Sequence, residues 1–306
     1  LTSACWSIAP EETLSLIVPL SATFFAGLLI CAIVSDFTLS QIQIFSSYLI
    51  FGFFLGLVIL IIEIFTPLFL TQFLHSLVLG KGFEINLHAR SYSPDTFYKS
   101  GVTVVALLFW PCLAILWKRF GNFSALALTL FSAFLFYFSG SLSAWLALIA
   151  GIVAAFGFLV FRSKAINFYI IVICLATLGA PLILKFTPDT TNLSKIAPNL
   201  PDSVYPRIVI WKYAASVIAE DPIIGKGFDT ARVISRNSKN IHFLGQKGGA
   251  RSTPGIPLHP HNAILQIWVE LGLIGALIFS AIMGIILRQV SRLDCDVPVR
   301  AAIVGM

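Results

Sequence analysis

The chain is predicted to be an all-α polytopic membrane protein, and three observations carry that prediction. Hydrophobic residues make up 58% of its 306 residues and charged residues only 11%, too few to cover a soluble domain of this size. The mean hydropathy is +0.91. The apolar residues gather in long runs such as Ala263–Leu287, 25 residues with Glu270 as the sole charge, enough to cross about 30 Å of hydrocarbon.

The elements follow in order. A short polar lead with Trp6, Pro10, Glu11 and Glu12 precedes a first span over about Leu14–Val34. A second runs over about Ile42–Phe65, with Glu63 near its end. Leu68 to Leu79 is apolar but short, as expected for an interfacial segment, and the charges and turn formers of Lys81 to Lys99 follow. Three more spans are read over Val102–Trp117, Phe123–Phe138 and Leu142–Phe161, closed by Lys118-Arg119, the Ser139-Gly140-Ser141 turn and Arg162-Ser163-Lys164. The sixth is Ala165–Leu184, and the seventh is Ala263–Leu287, closed by Arg288 and Arg292. The expected domains are a bundle over 1–184, a loop domain over 185–260 and a C-terminal membrane segment over 261–306. The chain opens on Leu1 and stops inside a fresh apolar run, so a piece of a longer protein is expected.

Orientation comes from the short loops. With seven spans, Lys118, Arg119, Arg162, Lys164, Arg288, Arg292 and Arg300 fall on one side, which the positive-inside rule makes cytoplasmic. The long loop then faces outward, because loops of that length translocate largely regardless of charge. Within it, Asp202 or Ser203 is placed to cap a helix running to about Ala219, with Pro206 tolerated in the first turn. Arg207, Trp211, Ala214 and Ile218 share one face of that helix, setting an arginine on an apolar stripe. The helix stops at Glu220-Asp221-Pro222 and the chain turns through Gly225 and Gly227. From Ser235 to Pro257 it is rich in Gly, Ser and Lys, with Arg232, Arg236 and Arg251 nearby, as expected of a binding loop or lid.

The candidate chemistry sits at the end of that loop, in Leu258-His259-Pro260-His261-Asn262. A histidine at a helix mouth meets unpaired N–H groups and the positive end of the helix dipole, which favour its neutral, proton-accepting form. Arginines on the same loop suit a phosphate, which their planar fork binds in bidentate fashion. The plainer alternative is that Arg207 snorkels to headgroups and His261 is an ordinary polar residue at a helix end. His259, His261 and a distant His242 make a poor zinc set. The five cysteines (Cys5, Cys31, Cys112, Cys174 and Cys295) have no CxxC spacing, so neither a disulfide framework nor a metal cluster is expected. No nucleophile elbow supports a Ser/His/Asp triad. The net charge of +6 is scattered, so nucleic acid is not expected as a partner. A transporter would carry ionisable groups at mid-membrane, whereas these spans hold little beyond Glu63 and Glu270.

His261-Asn262, nine residues, Gly272, two residues and Gly275 form a pattern that resembles the signature of the O-antigen ligases. Arg207-x3-Trp211, Pro222-x2-Gly225-x-Gly227, the Trp6–Pro10 segment and the turn before Ala144-Trp145-Leu146 are similar to that family as well. The resemblance implies a helical bundle of the GT-C type with one large periplasmic loop containing helices, in the bacterial inner membrane. It implies a metal-independent glycosyltransferase without a cofactor, moving a glycan from an undecaprenyl-diphosphate carrier to a lipid A-core hydroxyl. His261 would be the base and Arg207 the diphosphate ligand, supported by His259, Asn262, Trp211, Gly225, Gly227, Gly272 and Gly275. O-antigen polymerases and protein O-oligosaccharyltransferases share the organisation and remain alternatives, with a multi-span transporter as the alternative of another class. One departure stands out: Leu142 occupies a position where many members carry arginine. Arg251 or Arg232 would then supply the second diphosphate contact.

Overall fold

Apolar runs in a medium without water must satisfy their backbone internally, and these form helices. The computed structural model describes residues 2–66, 68–79, 95–197, 200, 203–245 and 249–306. The helices are α1 (Pro10–Ser15), α2 (Ile17–Ser35), α3 (Leu39–Phe65), α4 (Phe69–Leu79), α5 (Asp95–Phe138), α6 (Leu142–Phe161), α7 (Ser163–Lys185), α8 (Thr190–Ile196), α9 (Val204–Glu220), α10 (Ala231–Asn237), α11 (Ala263–Arg292) and α12 (Val297–Gly305). Among the described residues, six helical stretches are long and apolar enough to span a membrane. Large side chains such as Phe24, Leu29, Phe123 and Leu130 are exposed on them, as lipid-facing residues are. The protein is an all-helical, multi-pass membrane protein.

Seven spans were expected, and the difference lies in α5. Its backbone breaks at Gly121, with φ 79° and ψ −168°. Ser124 Oγ donates to Leu116 O over 3.1 Å, a pair that an unbroken helix would hold about 12 Å apart along its axis. Residues 95–120 and 122–138 are therefore two segments, in agreement with a turn after Lys118-Arg119.

The chain forms two compact units, Leu1–Val34 with Phe168–Ile286, and Ser35–Asn167 with Leu287–Met306. The second has a core of Phe53, Leu57, Phe109, Trp110, Leu135 and Phe136, reached by Ala302 of α12. Its basic residues cluster: Lys118 pairs with Asp296 at 2.9 Å, and Arg119 donates to Ser47 Oγ and Gln43 O. In the first unit α9 lies against α11 through Ala214, Val217, Ile218, Leu265, Trp268 and Val269. This core positions the outer loop.

Two further readings need correction. The stretch expected as an irregular lid contains an antiparallel hairpin, β1 (Asn240–Leu244) and β2 (Ala250–Pro254), that packs on α9. Phe243 is buried while its neighbours His242 and Leu244 are exposed, the alternation of a half-buried strand. Ser203 stands at the start of α9 without a side-chain capping bond, because its own backbone is already helical (φ −69°, ψ −11°). Asp202, the other proposed cap, and Lys81–Pro94 lie outside the described residues.

Candidate functional site

The segment after the long loop is built around α11, which is broken at Gly272 (φ 59°, ψ −153°). A break frees backbone groups that must find partners. Here residues 222–227 supply them. Lys226 and Gly227 donate their N–H groups to the carbonyls of Val269 and Glu270 over 2.8 and 2.9 Å. In return Leu273 and Ile274 donate to the carbonyls of Pro222 and Ile223 over 2.9 and 3.2 Å. Gly225, at φ 66°, passes so close to the break that a Cβ on it would sit 2.6 Å from Glu270 C and Leu271 N. The two glycine motifs are thus halves of one backbone exchange.

The N-terminal segment covers the same loop. Trp6 Nε1 donates to Ile224 O over 3.0 Å, Ile8 N to Lys226 O over 2.9 Å, and Thr13 Oγ1 to Phe228 O over 2.7 Å. Gly227 abuts Ser7, and Arg236 pairs with Glu12 at 2.9 Å. Lys226 is held by Asp221 and Glu220, whose hydrogen bonds push its pKa above the ordinary lysine value.

Glu270, one of the few charges in the spans, is buried, and its Oε1 accepts from Gln266 Nε2 of its own helix over 3.1 Å. It also lies close enough to Asp229 and Ala231, at the start of α10, to feel their backbone.

The nine residues 263–271 lead from this exchange to the histidines. Asn262 caps α11, its Oδ1 accepting from Ile264 N and Leu265 N over 3.0 and 3.2 Å. His261, just before the cap, takes a left-handed backbone (φ 53°), which is uncommon for a residue with a Cβ. Its N–H donates to His259 Nδ1 over 3.2 Å, and the two rings meet edge to face with centroids 4.3 Å apart. Buried Pro260 between them offers its carbonyl to Trp211 Nε1 at 2.9 Å. Trp211 therefore ties α9 to the histidine loop, and Arg207, one turn earlier on α9, acts on His261 with its charge.

His261 is exposed on one side and crowded on the other. Partial loss of hydration, then the neighbouring His259, then the Arg207 guanidinium hold its pKa below the ordinary histidine value. The direction matches the expectation. The cause differs: loss of hydration comes first, with His259 and Arg207 adding to it, where the helix dipole was expected to act. Among the described residues, Arg207 has no carboxylate partner within ion-pair distance.

The two reserve arginines are placed differently. Arg232 sits 3.3 Å from Asp229 Oδ1, so its charge is already balanced. Arg251 stands on β2 opposite Phe243. Leu142 opens α6, directly after the Ser139-Gly140-Ser141 turn, and is partly exposed. His242 lines a cavity of about 340 Å³ with Asp189, Lys212 and Tyr213. No group of three His, Cys, Asp or Glu side chains converges as a metal site among the described residues. Beside the break in α11 lies an apolar cavity of about 410 Å³, lined by Trp6, Ile17, Phe228, Leu271 and Gly275 among others.

Comparison with known proteins places the chain among polysaccharide ligases. A protein of Rickettsia felis named "Putative polysaccharide ligase" is 32% identical over 197 residues, 63% of this chain and 46% of its own length. Its namesake in Rickettsia bellii is 29% identical over 302 residues, 97% of this chain and 67% of its own. A third, from Rickettsia conorii, is 32% identical over 199 residues, 63% of this chain and 46% of that protein. The chain thus spans about half the length of the first of these relatives. No solved structure matches it. Residues 127–280, half of the chain, match the family described as O-Antigen ligase, a range that takes in Arg207, the exchange around Gly225 and Gly272, and His261 with its cap. The chain belongs to the O-antigen ligase family.

Proposed function

We propose that this chain carries the reactive part of a membrane glycosyltransferase that moves a glycan from undecaprenyl diphosphate to a hydroxyl of a lipid A-core acceptor. The observation that carries the reading is the Trp211–Pro260 hydrogen bond, which fastens α9, with Arg207 one turn earlier on it, to the loop that bears His261. An imidazole and a guanidinium that has no carboxylate partner among the described residues answer the two demands of such a transfer. One group must take a proton, and another must receive negative charge.

The step balances with these two residues. The acceptor hydroxyl gives its proton to a ring nitrogen of His261 as its oxygen bonds to the anomeric carbon of the donor sugar. The bond from that carbon to the diphosphate oxygen breaks, and its electron pair leaves with undecaprenyl diphosphate. Arg207 stabilises the charge growing on the departing phosphate through its planar fork. No electron is exchanged with a cofactor, and the cationic charge comes from the protein. The apolar cavity beside Gly275 is suited to a stretch of the isoprenoid chain.

We place the site on the periplasmic face of the inner membrane. The short-loop charge bias supports this, as do the contacts inside each unit. Arg119, read as cytoplasmic, donates to Ser47 and Gln43 near the start of α3, and Lys118 pairs with Asp296 just beyond α11. In the other unit the residues before α2 meet the outer loop, Trp6 with Ile224 and Glu12 with Arg236.

The test is transfer by the purified full-length protein in proteoliposomes holding undecaprenyl-diphosphate-linked glycan and lipid A-core. His261→Ala is expected to lose about 10²–10⁴-fold in rate, the usual worth of a general base, while still binding the carrier lipid. Transfer at near wild-type rate would end the assignment. Product on lipid A-core, rather than lengthened carrier-linked glycan, separates ligation from polymerisation.

A further inference from the structure

His259 lies outside the family signature, yet it makes the closest contacts His261 has. Its Nδ1 accepts the His261 backbone N–H at 3.2 Å, and its ring meets the His261 ring at 4.3 Å with an interplanar angle of 75°. The residue it holds has a left-handed backbone, a costly conformation that persists only where neighbours enforce it. Pro260 fixes the link between the two histidines, and Trp211 fixes the carbonyl of Pro260. The turn that presents His261 is thus closed by the imidazole of His259.

An imidazole accepts at Nδ1 only while that nitrogen keeps its lone pair. Among the described residues, the charged and titratable groups acting on His261 are Arg207 from α9 and His259 from its own loop, and both repel a proton there. The Asn262 side chain is committed to the helix cap.

We propose that His259 is a positioning residue for His261: its Nδ1 pins the His261 main chain and its ring braces the His261 ring in the reactive pose. The proposal rests on the reading of His261 as the base.

The experiment compares His259→Asn, His259→Gln and His259→Ala in the full-length protein in proteoliposomes, following kcat and KM for transfer from pH 4.5 to 8.5. Asparagine places Oδ1 where Nδ1 stood and cannot titrate, whereas glutamine and alanine leave the His261 N–H without that acceptor. At pH 8, Asn is expected within about threefold of wild type, and Gln and Ala about tenfold down or more in kcat with KM little changed. Wild-type kcat in His259→Ala, or Asn as impaired as Ala, would overturn the positioning role. His261→Ala run alongside separates the two readings: full activity there removes the base itself, while a dead His261→Ala beside an unaffected His259→Ala removes only the positioning role.

Discussion

Gly225 and Gly272 meet back to back: a Cβ on Gly272 would lie 2.7 Å from Gly225 N, and one on Gly225 would fall among the atoms joining Glu270 to Leu271. Both have positive φ, so each must tolerate a conformation and a proximity that side chains resist.

Gly272→Ala should therefore destabilise the first unit by roughly 2–5 kcal/mol, the sum of a strained backbone and an overpacked contact. Thermal unfolding in detergent should show a midpoint lower by several degrees, and Gly225→Ala should do the same. An unchanged midpoint in both variants would mean the exchange is not as tight as described.

Trp211→Phe keeps the ring and removes the N–H that reaches Pro260. The loss of one neutral hydrogen bond is worth about 1 kcal/mol, so folding should be nearly unaffected. Transfer should fall about 5–50-fold, because the histidine loop loses its tie to the helix that bears Arg207. Loss of protein from the membrane, in place of loss of rate, would assign Trp211 to the core alone.

Arg207→Lys tests fork against charge. A lysine keeps the cation but offers a point donor, so transfer should stay at least tenfold below wild type, with Arg207→Ala lower still. Full activity in the lysine variant would reduce Arg207 to an electrostatic role. Arg251→Ala should likewise lower the rate if Arg251 holds the second phosphate.

The pH dependence follows from the depressed pKa of His261. A base works while neutral, so activity should persist below the ordinary histidine value of about 6.5 and vanish only as the pH drops through the lower folded value. The stability effect has the same sign. The unfolded histidine takes up its proton first, so the folded state loses stability as the pH falls below about 6.5. A rate already halved at pH 7 would contradict the depression. Chelation by EDTA should leave the rate unchanged.

Much of this was legible in the sequence because it rests on local rules. Hydropathy located the spans, Asn262 could be read as part of a helix mouth, and the spacing of Arg207 and Trp211 put them on one face. What could not be read was anything decided by a partner distant in sequence. Gly272 looked like a glycine in an apolar helix, since nothing near it shows that Pro222 and Ile223 will take up its freed N–H groups. Glu270 looked like a lone charge in a span, since the residues it lies near at the start of α10, Asp229 and Ala231, are distant in sequence. His259 looked secondary because its role depends on the φ of His261, which no spacing announces. The hairpin was hidden by its polar composition, although the alternation of Ile241 and Phe243 with polar neighbours was a usable sign.

The Trp6–Ile224 hydrogen bond joins residues 218 positions apart. At a synthesis rate of roughly 5–20 residues per second, the N-terminal segment waits some 10–40 s on the ribosome for its partner to exist. Through that interval Trp6 and the edge formed by Ile8 and Thr13 stand at the membrane surface without their final acceptors. Assembly of this site is therefore a late event in biogenesis, one that begins only after most of the membrane segments have been inserted.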